Sequence, residues 1–349
     1  MRTIDADAHV IETSRTFDYM AKVDPKNAPI VVTQTSGAAR SNNSGGLHKE
    51  HWLIDNRAIP KDKLVDIATP DGARDMTDIA SRLKHMDELG IDVQVLYPTM
   101  FLRPLTERPA IATALAQSYN RWLGDIWKQG QGRLRWVAIP PLLNMEQVRD
   151  ELAWAKQNGA CGIFLNGLEF DKPLSNPYFF PLYEAAQELD MPLCLHAGIN
   201  SFTVHDFFID DAFAKFKLPI VGAFHNLVMQ GIPGMFPKAR WGFIEVSAQW
   251  LPYVLKDLRH RMMRAGKRLP KTPLKDYNFF VACEVNDDLE MILPYAGEDN
   301  LVVGTDYGHS DSSTEIEAMR LLKTGNRIPS SVVDKILDDN PTRLYGLNS

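Results

Sequence analysis

The sequence predicts an α/β protein, a distorted (β/α)8 TIM barrel with insertions after the first and fifth strands. Three observations predict this fold: eight short apolar runs, helical patterns between several of them, and polar side chains where at least three runs end. Runs that are apolar throughout are typical of parallel strands covered on both faces. The predicted strands are residues 3–9, 91–98, 134–141, 161–167, 192–198, 240–246, 278–285 and 301–308.

Helical patterns follow several of the predicted strands. The clearest spans residues 75–89 and stops at Gly90, a residue that commonly ends helices. An open doubly wound sheet is the structural alternative, but it would gather its ligands at one switch point rather than at three distant strands. The predicted helices are residues 75–89, 110–129, 145–158, 176–189, 221–230 and 251–265.

Two stretches do not fit the strand–helix repeat. Residues 25–69 are polar and rich in Gly, Ser and Asn, whereas residues 199–237 are rich in phenylalanine. Both follow strands on the side where barrel active sites form, so the first could be a lid and the second a pocket wall or a subunit contact. A satellite hydrophobic cluster is the alternative for each. We expect residues 1–349 to form a single barrel domain that includes both insertions.

Composition restricts the class of protein. Of the 349 residues, 45% are hydrophobic, which is enough for a full core, and the net charge of −6 gives no basic face for nucleic acid. No apolar run approaches the roughly 20 residues of a membrane span. The N-terminus lacks a signal-peptide pattern, and the three cysteines lie in apolar strand patterns. We therefore expect a cytoplasmic protein that binds neither membranes nor nucleic acids.

Imidazole and carboxylate side chains end the predicted strands. Asp7 and His9 close the first strand, His196 the fifth and Asp306 the last, while Glu245 ends the sixth. Such groups are costly to bury unless something binds them. Mixed nitrogen and oxygen donors suit a divalent ion such as Zn, Mn or Fe. The sequence therefore predicts a metal site at one rim of the barrel.

Four segments resemble one branch of a known superfamily. They are IDADAHVIE (4–12), CLHAG (194–198), GMFPKARWGFIEVSAQWLPYVLKDL (234–258) and LVVGTDYGHSD (301–311). The chain is similar to the amidohydrolase-related branch of the amidohydrolase superfamily, which includes aminocarboxymuconate semialdehyde decarboxylase and γ-resorcylate decarboxylase. The resemblance implies a distorted barrel with a metal at the strand C-termini, held by Asp7, His9, His196 and Asp306, with Asp306 also handling protons.

The implied function is metal-dependent hydrolysis or non-oxidative decarboxylation of a small, carboxylate-bearing substrate. Relatives are commonly dimers, and some pair with a homologous subunit, so we expect a homo-oligomer or such a hetero-oligomer. The fourth strand lacks the lysine that bridges two metals in many relatives, which makes one ion the default. Glu245 stands where the decarboxylases have a histidine that serves as acid or base, so it could be a base or a second-ion ligand.

Two alternatives remain open. Glu12, His225 and Glu245 could hold a second ion, as in dinuclear iron or iron–manganese oxygenases that this branch also contains. The departure at Glu245 also keeps open a partner subunit with a degenerate site.

Three further residues are candidates for substrate contact. His309 follows Asp306 by three residues, and Glu284 ends the seventh strand. Arg103 lies just past the second strand, where its guanidinium could pair with a substrate carboxylate through two hydrogen bonds. A surface arginine is the alternative interpretation of that position.

Overall fold

Eight parallel strands with helices between them form a nearly closed barrel in the computed structural model, which describes residues 1–33, 50–61, 65–66, 69–209 and 211–347. The strands are β1 (Ile4–Val10), β2 (Ile30–Thr33), β3 (Glu50–Ile54), β4 (Arg57–Pro60), β5 (Val93–Pro98), β6 (Leu134–Ala138), β7 (Ala160–Leu165), β8 (Leu168–Glu169), β9 (Lys172–Pro173), β10 (Leu193–His196), β11 (Trp241–Ile244), β12 (Phe279–Cys283) and β13 (Leu301–Val303). The α-helices are α1 (Asp18–Val23), α2 (Asp71–Arg74), α3 (Ile79–Leu89), α4 (Pro109–Gln129), α5 (Val148–Gln157), α6 (Phe180–Glu188), α7 (Phe202–Phe207), α8 (Leu218–Met229), α9 (Ile232–Met235), α10 (Leu251–Arg264), α11 (Pro273–Asp276), α12 (Leu289–Ala296), α13 (Ala318–Thr324), α14 (Ser330–Asp334) and α15 (Asn340–Tyr345). Short 3-10 turns span Ser14–Phe17, Met100–Leu102, Met145–Gln147 and Pro177–Phe179, and π-helical turns span Phe213–Lys217 and Lys335–Asp339.

The barrel strands follow chain order around the sheet, β1-β5-β6-β7-β10-β11-β12-β13. The last strand returns to the first just past β13. There the Asp306 amide donates to the Asp7 carbonyl at 2.9 Å, and the His9 amide donates to the Tyr307 carbonyl at 2.9 Å. The predicted fold class is confirmed, and each of the eight predicted strands is present. Most are shorter than predicted because their last residues already belong to the loops that carry the polar side chains.

The hydrophobic core fills the barrel and the layer between its strands and helices. Every residue of β5 and β7 is buried, as the continuous apolar runs predict, and Trp136 and Trp241 are fully enclosed. The predicted helix 75–89 begins only at Ile79, because Met76 adopts a left-handed conformation (φ 59°) and the Asp78 side chain caps the start of α3. Within the described ranges, no helix is both long and apolar enough to cross a bilayer.

Both predicted insertions lie near the C-terminal ends of the barrel strands. In the first, β2, β3 and β4 form an antiparallel sheet, and Asp66 donates its amide to the Gly308 carbonyl at 2.9 Å. In the second, α7 contacts that sheet through the Arg57 guanidinium, 3.8 Å from the ring centre of Phe202. A role as a lid stays a prediction. Parts of the first insertion, residues 34–49, 62–64 and 67–68, and residue 210 of the second lie outside the described residues.

Gly304 allows the closing strand to pass close to Asp7. A Cβ atom at position 304 would lie 2.2 Å from the Asp7 Cβ and 2.9 Å from its Cα. We expect Gly304→Ala to lower the free energy of unfolding by about 3 kcal/mol, since neither backbone can easily move. Gly222→Ala is the control: a Cβ atom added to this α8 glycine would meet no atom within 4 Å, so alanine should add up to about 1 kcal/mol. Urea unfolding measures both, and equal midpoints for the two variants would contradict the close approach.

Candidate metal centre

Five of the predicted ligands meet at the C-terminal ends of the barrel strands. Asp7 and His9 lie on β1, His196 ends β10, Glu245 directly follows β11, and Asp306 lies three residues past β13. All five side chains are buried; Glu245 is the most exposed of them, at 9%. Because parallel barrel strands end at the same rim, residues distant in sequence converge here.

The ligand atoms form two overlapping groups. Within the described residues, Asp7, His9, His196 and Glu245 place one ligand atom each within 4.8 Å of one another, and so do His9, Glu245, Asp306 and His309. The His196 Nε2 atom lies 3.1 Å from the Asp7 Oδ1 atom and 3.1 Å from the Glu245 Oε2 atom. His9 and Glu245 belong to both groups, so the spaces that the two groups enclose adjoin each other.

The histidine tautomers leave two lone pairs directed at the same space. The His9 Nδ1 atom lies 3.0 Å from the Pro98 carbonyl, and the His196 Nδ1 atom lies 3.1 Å from the Ala197 carbonyl. Because a carbonyl only accepts, each Nδ1 must carry the hydrogen, and each neutral ring then has a lone pair on Nε2. These two Nε2 atoms are 3.1 Å apart. Two facing lone pairs repel each other, and a cation between them removes that repulsion.

His309 is oriented in a similar way. Its Nε2 atom lies 2.8 Å from the Thr99 hydroxyl, which donates its own hydrogen to the Val10 carbonyl and must therefore accept from His309. The Nδ1 atom then faces Asp306 Oδ1 at 2.8 Å, while the ring stacks on His9 with centres 3.8 Å apart. Burial lowers the pKa of His309, but the Asp306 carboxylate outweighs burial and raises the pKa above its usual value.

Two buried carboxylate oxygens lack hydrogen-bond partners. They are Glu245 Oε2 and Asp306 Oδ1, although histidine nitrogens lie close to both. Within the described part of the chain, no lysine or arginine nitrogen lies within 4.0 Å of Asp7, Glu245 or Asp306. Buried carboxylates without a counter-charge are strongly destabilising. A divalent cation would satisfy these oxygens, so the residues present fit such an ion.

The pKa values reflect this crowding of like charges. Burial raises the pKa of Glu245 well above its usual range, and the carboxylates of Asp306 and Asp311 add to the effect. Burial also lowers the pKa of His9 to about 4, with the charge of His309 acting in the same direction. The site therefore holds His9 as a neutral imidazole, the form that binds metals.

The backbone is strained where two of the carboxylates leave their strands. Glu245 and Asp306 have φ angles of 60° and 53°, in the left-handed region that non-glycine residues rarely occupy. Such conformations cost on the order of 1–3 kcal/mol each and are frequent at functional sites. At both positions the turn directs a carboxylate into the site.

Two predicted ligands of a second ion lie elsewhere. Glu12 is buried, and its carboxylate accepts hydrogen bonds from the amides of Thr99 (3.0 Å) and Met100 (3.1 Å). His225 is part-exposed on α8, where its Nε2 atom lies 2.9 Å from Asp257 Oδ2 of α10. The structure brings neither residue into the two ligand groups, because Glu12 caps a 3-10 turn and α8 turns His225 toward the neighbouring helix.

The other two residues predicted to contact substrate, Glu284 and Arg103, lie in different surroundings. Glu284 forms an ion pair with Lys217 at 3.1 Å, and Lys217 also donates to the Ser313 hydroxyl at 2.9 Å. Arg103 lines an apolar cavity beside the metal centre rather than lying on an open surface. Sequence reasoning missed Lys217 and also missed Thr314, whose hydroxyl donates to Asp306 Oδ2 at 2.7 Å. Both lie in segments whose apolar residues do not follow the spacing of a strand or a helix. For Thr314, the polar run after Asp306 is the sequence feature that could have indicated a site residue.

Comparison with known proteins identifies the family. The sequence model of the amidohydrolase family matches residues 4–347. The chain belongs to the amidohydrolase family. A γ-resorcylate decarboxylase from Polaromonas sp. is 24% identical over 282 residues, which cover 74% of this chain and 84% of that protein. The resemblance found in the four sequence segments is thereby confirmed.

Solved structures of other amidohydrolases share the fold. An amidohydrolase from Mycobacterium avium subsp. paratuberculosis superposes with a TM-score of 0.75 at 19% identity, covering 99% of both chains. A 5-carboxyvanillate decarboxylase from Novosphingobium aromaticivorans, crystallised with bound manganese, gives a TM-score of 0.70 at 18% identity and covers 99% of this chain and 97% of its own. Family and relatives together indicate a metal-dependent enzyme, either a hydrolase or a carboxy-lyase.

Proposed function

We propose that this amidohydrolase-family protein is a metal-dependent non-oxidative decarboxylase or hydrolase acting on a small, carboxylate-bearing organic substrate. One observation carries the proposal: the Nε2 lone pairs of His9 and His196 face each other 3.1 Å apart, beside Asp7 Oδ1. This arrangement is stable around a cation and repulsive without one. The partly apolar surroundings at the same rim suit a small organic molecule.

The proposed ligands of a single ion are Asp7, His9, His196 and Asp306. Two imidazoles and two carboxylates suit Mn, Fe or Zn, and the second carboxylate shifts the preference slightly from Zn toward Mn or Fe. When bound, such an ion supplies Lewis-acid chemistry: it polarises a substrate oxygen and makes water a nucleophile near neutral pH.

The chain's own residues would handle the protons. Thr314 and His309 hold Asp306 from two sides, which fixes the direction of its carboxylate. Glu245 Oε2 has no hydrogen-bond partner and faces the same space, so it is free to accept a proton from water or to deliver one to a substrate carbon. General acid–base transfer of this kind contributes about 10²- to 10⁴-fold to a rate.

Relatives support decarboxylation within this pair of reactions. The relative from Polaromonas is a γ-resorcylate decarboxylase, and a structural neighbour is a 5-carboxyvanillate decarboxylase. In that reaction the ring or enol carbon must gain a proton as carbon dioxide departs. Glu245 is our candidate for the proton donor, in place of the histidine that the decarboxylases carry there.

A dinuclear oxygenase is the second candidate. The observation that favours it is the sharing of His9 and Glu245 between two adjoining ligand groups. A second ion would then rest on Glu245, Asp306 and His309, because Glu12 and His225 lie outside both groups.

Metal content and product analysis test the proposal together. The protein is purified without added metal, analysed for each element, and assayed with hydroxybenzoates for release of carbon dioxide and with esters and lactones for hydrolysis. One equivalent of Mn, Zn or Fe with either activity supports the proposal. Two equivalents that include iron, with oxygen uptake, support the oxygenase. Protein that binds no metal even after reconstitution with Mn, Zn and Fe would overturn both, and a metal-loaded protein without any turnover would favour a degenerate partner subunit.

A further inference from the structure

An apolar cavity opens beside the metal centre on the same rim of the barrel. The end of β7, the helix α4 and the segments that follow β5, β6, β7 and β10 form its walls, and its volume is about 60 Å³. Leu115, Ile139, Leu142 and Phe164 are among the apolar residues that line it. The cavity is smaller than one that encloses a whole benzene molecule, but it is open at its mouth, so it can hold part of an aromatic ring or of a short aliphatic chain.

Phe164 connects this cavity to the proposed ligands. Its ring lines the cavity, and its centre lies 6.2 Å from the centre of the His196 ring. The Phe164 ring therefore separates the cavity from a proposed metal ligand by the thickness of one side chain. None of the proposed ligands lines the cavity itself, so its occupant can be examined without the metal.

Arg103 supplies a positive charge to the cavity. Its Nε atom is buried and has no hydrogen-bond partner, and no carboxylate of the described residues forms an ion pair with its guanidinium. Burial lowers the pKa of Arg103, and the negative charge of Glu12 opposes that shift. Arginine stays protonated in proteins, so this guanidinium remains a cation, and its buried Nε–H lacks an acceptor.

Two carboxylates that line a cavity together with Arg103 already accept hydrogen bonds from other donors. Glu169 lines the same cavity, but it accepts hydrogen bonds from the Asn166 amide and from the Asn200 side chain, both at 2.7 Å. Glu12 is occupied by the amides of Thr99 and Met100. Neither carboxylate forms an ion pair with Arg103, so its guanidinium is available to the carboxylate of a bound molecule.

We propose that this cavity binds the non-reacting part of the substrate, an apolar ring or short chain ending in a carboxylate that pairs with Arg103. The inference rests on the proposed function in one respect: it places the reacting group of that molecule at the opposite end, beside His196 and the metal. A guanidinium and a carboxylate form two parallel hydrogen bonds, which fix the orientation of the occupant as well as its charge. The substrate would thus carry an anionic group that is separate from the reacting one.

Calorimetric titration of the full chain with benzoate tests the proposal. Benzyl alcohol is the neutral probe of matched size, and each titration is run on metal-free and metal-loaded protein. We expect benzoate to bind both forms and to bind at least about 10-fold more tightly than benzyl alcohol. Arg103→Met should weaken benzoate binding by about 10- to 100-fold and leave benzyl alcohol unaffected. The matched control is Arg108→Met, which removes an exposed arginine paired with Asp55 and should change neither affinity.

A second variant keeps the proposal testable if the Arg103→Met protein does not fold. Ala112→Leu places a larger side chain into the cavity from α4 and should abolish binding of both probes without altering any charge. Equal benzoate affinity in Arg103→Met and wild type, or full affinity in Ala112→Leu, would overturn the assignment. Loss of benzoate binding on removal of the metal would also overturn it, because benzoate would then be a metal ligand. Benzoate binding by a protein that takes up no Mn, Zn or Fe on reconstitution would uphold the cavity and contradict the proposed function.

Discussion

Replacing His196 by alanine should remove the metal and abolish turnover. The His196 Nε2 atom is the centre of the first ligand group, within 3.1 Å of His9 Nε2, Asp7 Oδ1 and Glu245 Oε2. Its loss deletes one nitrogen donor and leaves the carboxylates without the partner that holds them together. We expect metal affinity to fall by more than about 100-fold, beyond the loss typical for a residue that only supports a ligand.

Element analysis after dialysis against a weak chelator measures this effect, with activity as the second readout. His260→Ala is the matched control, since His260 is exposed on α10 and should keep one equivalent of metal and full activity. Circular dichroism verifies that the His196→Ala barrel is folded. A folded His196→Ala protein with full metal content would show that the ligand assignment is wrong.

The strands and the central ligands could be predicted from sequence because both follow from local patterns. A buried parallel strand requires a continuous apolar run, and a polar side chain at its end has few stable environments other than a binding site. His9, His196 and Asp306 each interrupt or end such a run, and the barrel brings the ends together. The family resemblance added the expected order of these residues along the chain.

The positions of Glu12 and His225 could not be predicted in the same way. A helical period indicates which face of α8 is apolar, but not whether a polar residue beside that face points to the barrel rim or to another helix. The partner of His225 is Asp257, which lies 32 residues further along the chain. Glu12 instead accepts hydrogen bonds from two backbone amides of a 3-10 turn that the sequence pattern does not predict. Both outcomes depend on tertiary contacts rather than on periodicity.

The roles of the loop residues around the site could not be predicted from the sequence either. Lys217 reaches Glu284 and Ser313 from a π-helical turn, and Thr314 reaches Asp306 from the loop after β13. Their roles depend on how the loops fold over the rim, and isolated lysines and threonines in polar segments carry no signal of their own. The sequence also does not predict that Arg103 lacks an ion-pair partner. This depends on Glu169 and Glu12 accepting hydrogen bonds from other donors in the folded protein.

Glu245→Gln should show whether Glu245 acts as an acid or base or as a metal ligand. Glu245 is the residue that stands where the decarboxylases have a histidine. Glutamine keeps the size of the side chain but removes its charge and its ability to take up a proton. All four proposed ligands of a single ion, namely Asp7, His9, His196 and Asp306, are retained in this variant. We therefore expect the variant to retain one equivalent of metal while the rate constant for turnover falls by about 10²- to 10⁴-fold.

Steady-state kinetics and element analysis of the same preparation check this prediction. Glu290→Gln is the control, because this glutamate is exposed on α12 and should leave both readouts unchanged. Loss of one of two ions in Glu245→Gln would instead make Glu245 a ligand shared by two metals, which is the arrangement that the overlapping ligand groups allow. Retention of both the rate and the metal would show that Glu245 neither transfers a proton nor binds a metal. The burial of its unpartnered carboxylate oxygen would then have no explanation in the chemistry of the site.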